Sequence, residues 1–281
     1  MELPSLSLAD LQARYGAPDA AVPDEVLTAL RADPRTGARA LAQRIDTRRR
    51  KNRAEGQRLR HMLRFETELW EQGFVNVAGT DEVGVGPLAG PVVAAAVILP
   101  RDFRLQGLND SKQLDAKDHA RLCAMIKAQA VAWAVGQVEV DEIDRINIYQ
   151  ASMRAMRLAI EGLSVKPDHV LVDARTLRDV ALPQSAIVKG DARSLSIAAA
   201  SVVAKHTRDA LMIALDATYP GYGFAKHKGY GVPEHEAALR ALGPCAIHRR
   251  SFAPVRAAMG GPHVARGAAQ LALFDAPEER A

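Results

Sequence analysis

The pattern of apolar and polar positions changes period near residue 75. Upstream, apolar residues recur at helical spacing with almost no β-branched runs, and Pro23 and Pro34 punctuate a set of short helices. Leu59, Leu63, Glu66 and Trp70 fall on one helical stripe, so a basic helix is expected to lead into the rest of the chain. Downstream, strands are predicted over 75–83 and 92–99, joined by a Gly/Pro-rich turn. A helix follows over 115–130 with Leu122, Met125 and Ile126 on its apolar side, then a third strand over 131–140 and helical sequence over 141–162. Short buried strands over 169–173 and 186–188 precede helices over 194–217 and 233–242. Three strands, then helices alternating with two more strands, describe an α/β layer. Gly260, Gly261 and Pro262 break the pattern, and a flexible tail is expected beyond them. The implied division is a basic helical extension over 1–70, a main domain over 71–257 and a tail over 258–281.

Composition narrows the class. Of 281 residues, 48% are apolar and 25% charged, enough for a sizeable core, and a net charge of +4 leans toward a polyanionic partner. The basicity is concentrated: between Arg44 and Arg64 stand nine Lys or Arg against two acids, including Arg48, Arg49, Arg50 and Lys51. That helix is either a solvated face or one that touches phosphates. Cys123 and Cys245 are far apart and in no metal-ligand spacing, which argues against a disulfide framework and a zinc site and for a reducing cytoplasm. No signal peptide is evident, and the most apolar run, 87–99, is interrupted by Pro91 and too short to span a bilayer. A cytoplasmic protein with no membrane partner is expected, and nothing in the chain suggests an oligomer, so a monomer is expected too.

Four acids stand out by context. Asp81 and Glu82 close the first strand just before Gly84 and Gly86; Asp173 ends the strand HVLVD; Asp191 follows Lys189 and Gly190 at the end of the fifth strand. Strand ends are where α/β layers usually place chemistry. If the strands of Asp81 and Asp173 are parallel neighbours, their carboxylates converge, and such a set suits a pair of hard divalent cations. Adjacent strand residues face opposite sides, so Asp81 and Glu82 can share a site only if the strand bends, which the nearby glycines would ease. Taken singly, each acid reads equally well as a cap or turn residue.

Longer segments are specific. AGTDEVGVGPLAGPVVAAAVILP (78–100), LNDSKQL (108–114), NIYQASMRAM (147–156), LVDA (171–174), KGDARSLSIAAASVVAKHTRD (189–209), YPGYGFAKHKGYGVPEH (219–235) and HRRSFAPV (248–255) together closely resemble ribonuclease HII, in one order over about 180 residues. The resemblance implies a ribonuclease-H-like mixed five-stranded sheet flanked by helices, with the helical extension in front. It implies that Asp81, Glu82, Asp173 and Asp191 bind two Mg²⁺ or Mn²⁺ ions, which activate a water to attack the phosphodiester 5′ of a ribonucleotide, leaving a 3′-hydroxyl and a 5′-phosphate. The substrates would be RNA–DNA hybrids and duplex DNA with embedded ribonucleotides, in ribonucleotide removal during DNA replication and repair. Only the 2′-hydroxyl marks the ribonucleotide. In the family, main-chain groups of the loop that here is Gly84, Val85 and Gly86 read it, and a tyrosine, here Tyr230, stacks on the next nucleotide. Lys112 resembles a phosphate-contacting lysine, with an ordinary surface lysine as the alternative.

Two positions depart from the pattern. Val85 stands where the family's loop usually has arginine, removing a charged donor fork, and Val232 stands where threonine is common. His206, His227 and His248 lie in matching motifs without metal-pair spacing. In the tail, Gln270, Leu271, Ala272, Leu273 and Phe274 (QLALF) resemble the pentapeptide that binds the bacterial DNA sliding clamp; a segment packed back on the domain is the alternative. Two other functions compete with an active nuclease: a hybrid-binding, clamp-recruited protein with weak catalysis, and the sister ribonuclease HIII. Intact acids disfavour the first and GPLAGPVVAA the second.

Overall fold

A computed structural model describes residues 6–105, 107–108 and 116–260. The chain separates into two units, the first ending at Leu63 and the second starting at Arg64. The first holds α1 (Leu8–Tyr15), α2 (Asp24–Ala32) and α3 (Thr36–Met62). Ser7 and Asp10 form a reciprocal cap at the start of α1, satisfying two N–H groups that the helix leaves open. Leu11, Leu27, Leu30, Leu41 and Ile45 build a small core. Arg48 and Arg49 hold the connecting loops by donating to the carbonyls of Ala17 and Val22.

The second unit opens with α4 (Arg64–Glu71) and continues β1 (Val77–Val83), β2 (Val92–Ile98), α5 (Ala116–Gln129), β3 (Ala132–Val138), α6 (Val140–Ile146), α7 (Ile148–Glu161), β4 (His169–Asp173) and β5 (Gln184–Ile187). It ends with α8 (Gly190–Arg193), α9 (Leu195–Thr218), α10 (Phe224–His227), α11 (Pro233–Leu242) and α12 (Ala253–Ala258). The sheet runs β3-β2-β1-β4-β5, antiparallel across β3, β2 and β1 and parallel across β1, β4 and β5. Helix α7 covers one face, packing Ala151, Ala155 and Met156 against Val92, Ala94 and Ala96. Helix α9 lies against the other at very short range: a Cβ on Gly79 would sit 2.2 Å from the Ser196 carbonyl carbon, so only glycine admits the helix there. The α/β expectation is met, and no described helix is long and apolar enough to cross a membrane.

The helical stripe through Glu66 is not one helix. Chain helicity breaks at Leu63, and Glu66 is buried rather than part of a polar face. Its Oε1 accepts from Ser194 Oγ (2.6 Å), Ser196 N (2.9 Å) and Ser196 Oγ (2.6 Å), placing a carboxylate at the positive end of α9. Loss of those bonds in Glu66→Ala should cost about 2–4 kcal/mol, with Glu66→Gln costing less, as urea unfolding would measure.

Candidate active site

The carboxylates come together through strand pairing. Parallel β1 and β4 place Thr80 beside Val172, which carries the next residues, Asp81 and Asp173, to the same end of adjacent strands. Asp173 Oδ1 accepts from Gly190 N at 2.6 Å, tying the strand end to the turn that presents Asp191. Asp191 itself is not on a strand end as expected: β5 stops at Ile187, Lys189 takes a left-handed φ of 55°, and Asp191 sits in the single turn of α8. Nor does β1 bulge at its acids. Pairing with β2 is continuous from Ala78↔Ile98 to Val83↔Val93, so Asp81 looks toward Ser201 of α9 and Glu82 toward Ser152 of α7. The two still feel each other around the strand's edge.

Electrostatics shows this. Burial, then the charges of Glu82 and Asp173, push the Asp81 carboxyl well above the usual carboxylate range, with Asp191 adding to the rise and Ser201 opposing it. Burial also raises Glu82, against the pull of Arg175. Among the described residues Glu82 Oε2 and Ser152 Oγ are buried with no hydrogen-bond partner in place, and Ser152 lies close enough to draw the Glu82 carboxyl down. Among the described residues no three such side chains are already closed around one point as a metal cage. The cluster nevertheless fits a divalent cation by kind and by need: all donors are oxygen, they repel one another, and one buried oxygen is orphaned.

Beside the acids two buried arginines, neither in an ion pair among the described residues, frame a loop. Arg249 donates from Nε to Gly90 O (2.9 Å), from Nη1 to Val85 O (2.9 Å) and from Nη2 to Gly84 O (2.5 Å). Arg208 donates to Pro91 O (3.0 Å), Ala89 O (3.1 Å) and Lys228 O (3.0 Å). The C=O of one residue and the N–H of the next point opposite ways across a trans peptide. Drawing the Gly84 and Val85 carbonyls inward therefore turns the N–H groups of Val85 and Gly86 away from the guanidinium. Gly84, at φ 87°, has no room for a side chain: a Cβ would lie 2.2 Å from Arg208 Nε. Tyr230 stands over this loop, 40% exposed, with its Cε1 3.8 Å from where a Cβ of Gly86 would be. Gly84, Val85, Gly86 and Tyr230 are thus brought together; Lys112 lies outside the described residues, as do Gln270, Leu271, Leu273 and Phe274.

The family model for ribonuclease HII matches residues 78–255, and that for the ribonuclease HII N-terminal domain matches 17–70. The chain belongs to the ribonuclease HII family. It is 62% identical over 262 residues to the ribonuclease HII of Myxococcus xanthus, covering 93% of this chain and 89% of that one. Against the ribonuclease HII of an Anaeromyxobacter species the identity is 57% over 92% of this chain and 82% of the relative. Among solved structures, ribonuclease H2 from Pyrococcus horikoshii superposes with a TM-score of 0.56 at 26% identity, covering 66% of this chain and 98% of that one. The PCNA:RNase HII complex from Archaeoglobus fulgidus gives 0.55 at 25%, covering 63% and 95%. As a ribonuclease HII, the chain is a ribonuclease H hydrolase acting on RNA–DNA.

In this ribonuclease HII the turn that carries Tyr230 is held by three histidines. His227 Nε2 donates to Tyr222 O (2.8 Å) while its Nδ1 accepts from Gly229 N (3.2 Å). His235 Nδ1 donates to Tyr230 O (2.8 Å), so its Nε2 accepts from His248 Nε2 (3.1 Å), whose Nδ1 accepts from Cys245 N (3.0 Å). Each ring thus donates from one nitrogen and accepts at the other. Burial, then the neighbouring His235, pushes His248 down to about 4. An unfolded histidine takes up its proton near 6.5, so the unfolded chain binds more protons between there and about 4. Stability should therefore fall by about 3 kcal/mol as pH drops through that window and level off below it. Urea midpoints across pH 7 to 4 check this, and the fall should shrink in His248→Gln.

Sequence reasoning missed Arg208, Arg249, Ser201, Ser152 and Arg175. One signal was available: Ser201, Ala204, Arg208 and Met212 lie on one helical stripe, all buried, which puts a cation in a core register. Arg249 has no such mark, because HRRSF lies between helices and its burial depends on carbonyls about 160 residues away.

Proposed function

We propose that the chain is a divalent-metal-dependent endonuclease that cuts the phosphodiester 5′ of a ribonucleotide, in RNA–DNA hybrids and in duplex DNA with embedded ribonucleotides. Residues 71–257 form its catalytic domain. The supporting observation is the meeting of Asp81 and Asp173 on adjacent parallel strands, with Glu82 and Asp191 in electrostatic reach, beside the Gly84–Gly86 loop and Tyr230. Asp81, Glu82, Asp173 and Asp191 would hold two Mg²⁺ or Mn²⁺ ions. Such ions acidify water and offset charge on a phosphate. The chain's own part is placement. The N–H groups of Val85 and Gly86 point outward to meet a 2′-hydroxyl, the Tyr230 ring stacks on the neighbouring nucleotide, and Lys112 meets a phosphate. Cutting a DNA duplex that carries one ribonucleotide, with Mg²⁺ and then Mn²⁺, tests this. Products should end in a 3′-hydroxyl and a 5′-phosphate; no metal-dependent cutting of this duplex or of a long hybrid would reject it.

Val85 leaves the loop's backbone donors in place but supplies no charge. Val85→Arg should lower KM for a single embedded ribonucleotide by about three- to tenfold, as one cation–phosphate contact would. Unchanged KM and junction preference would show that valine costs nothing. For the tail, QLALF and the archaeal PCNA:RNase HII complex support recruitment by the DNA sliding clamp through Gln270, Leu271, Leu273 and Phe274, in a protein that works as a monomer during replication and repair in the cytoplasm. A clamp pull-down that survives Leu273→Ala with Phe274→Ala would remove that arm.

A further inference from the structure

The net charge of this chain sits in one place. Residues 1–63 carry 12 Lys or Arg against 8 Asp or Glu, and the whole chain 37 against 33, which leaves residues 64–281 balanced at 25 against 25. A nuclease unit with no net charge and four clustered carboxylates has little long-range attraction for a polyanion.

The excess is displayed on α3. Between Asp46 and Glu55 the helix holds five cations and no acid. Arg48 and Arg49 fold back on the loops of their own unit. Arg50, Lys51 and Arg53 do not: all are exposed, and they make no hydrogen bond or ion pair among the described residues. The buried stripe of α3 stops at Ile45 and resumes only at Leu59, so residues 50–54 are exposed on every side of the helix. Arg50 and Arg53 stand three apart and Arg49 and Arg53 four apart, spacings at which like charges oppose the helix. A polyanion laid along this stretch relieves that repulsion.

We propose that the Arg50–Lys51–Arg53 surface of α3 binds the phosphate backbone of the duplex that the second unit cuts, a proposal that rests on the nuclease reading above. The residues between the cations specify the partner further. Thr47, Asn52 and Ala54 give no large apolar face, which a helix lying in a membrane surface needs, and no aromatic ring, on which single-stranded bases would stack. What remains is sequence-independent contact with a double helix. The ten residues from Arg44 to Arg53 rise about 15 Å, enough to follow about four nucleotides of one strand.

The test uses the full chain with Arg50→Gln, Lys51→Gln and Arg53→Gln, substitutions that keep helix propensity. Anisotropy of a labelled RNA–DNA hybrid, in EDTA to prevent cutting, gives affinity from 50 to 200 mM salt. Removing three phosphate contacts should make the log–log salt slope shallower by about 2–3, a roughly 40-fold smaller loss of affinity over that range. A control triple that takes the same charge from the other unit, Arg121→Gln, Arg145→Gln and Arg240→Gln, should change the slope by less than about 1. An unchanged slope in the first triple, or an equal change in the control, would overturn the proposal. So would loss of binding to phosphatidylglycerol vesicles with hybrid binding intact. Failure of the unaltered chain to cut with metal, while it binds the hybrid normally, would count against the nuclease reading and leave this surface standing.

Discussion

Asp81→Asn should slow cutting by a factor on the order of 10³ or more and, in the absence of divalent ions, make the protein more stable. Both effects have one cause. In the folded chain Asp81 is buried beside three other carboxylates, and its charge is opposed by burial first and then by Glu82 and Asp173. The unfolded chain imposes no such penalty, so an uncharged amide of the same shape should gain about 1–3 kcal/mol. The Ser201 hydroxyl can still bond to it. Urea unfolding in EDTA measures the gain, and turnover at saturating hybrid measures the loss. A third readout separates a metal site from a merely strained acid: Mg²⁺ or Mn²⁺ should raise the unfolding midpoint of the unaltered chain and raise it less in the variant. A variant that cuts normally would remove Asp81 from the machinery.

The next largest effect belongs to a fully buried arginine. Arg249→Met should cost about 3–5 kcal/mol, because two buried carbonyls and one half-buried carbonyl lose their donor at once. Burial, then Arg208, pulls the Arg249 guanidinium down to about 9, which leaves it charged at neutral pH. Arg249→Lys should recover only part of the loss, since an ammonium cannot reach three carbonyls in the fixed fork of a guanidinium. Where the variants remain folded, freeing the Gly84 and Val85 carbonyls should raise KM for a single embedded ribonucleotide more than for a long hybrid, which offers many positions to cut. Denaturation curves and paired kinetics on the two substrates would show it; equal effects on both would mean the arginine serves stability alone.

The local elements were legible because their signals are local. All five strands and helices α5, α9 and α11 could be placed from period and turn residues, whereas the 27-residue α3 was read as shorter helices; the convergence of Asp81 with Asp173 follows once their strands are parallel neighbours. Asp191 was misplaced because β5 is only four residues long and the turn after it depends on Lys189 adopting a left-handed backbone. The bend expected at Glu82 was unnecessary: two acids on opposite faces of a strand end can share a field without sharing a face. Glu66 was read as part of an amphipathic stripe, whereas its partners, Ser194 and Ser196, lie about 130 residues on. Cations and carboxylates usually mark surfaces, so Arg249 and Glu66 look ordinary until the distant groups that bond to them are in place.

The bonds from Arg249 to Gly84 and Val85 also set a timetable. They join positions 165 and 164 residues apart, and the frame they complete is the last part of the site to leave a ribosome. A nascent chain that has already released Asp81, Glu82, Asp173 and Asp191 still lacks the residue whose guanidinium holds the Gly84 and Val85 carbonyls. The frame around that loop therefore closes only after nearly the whole second unit has been synthesised.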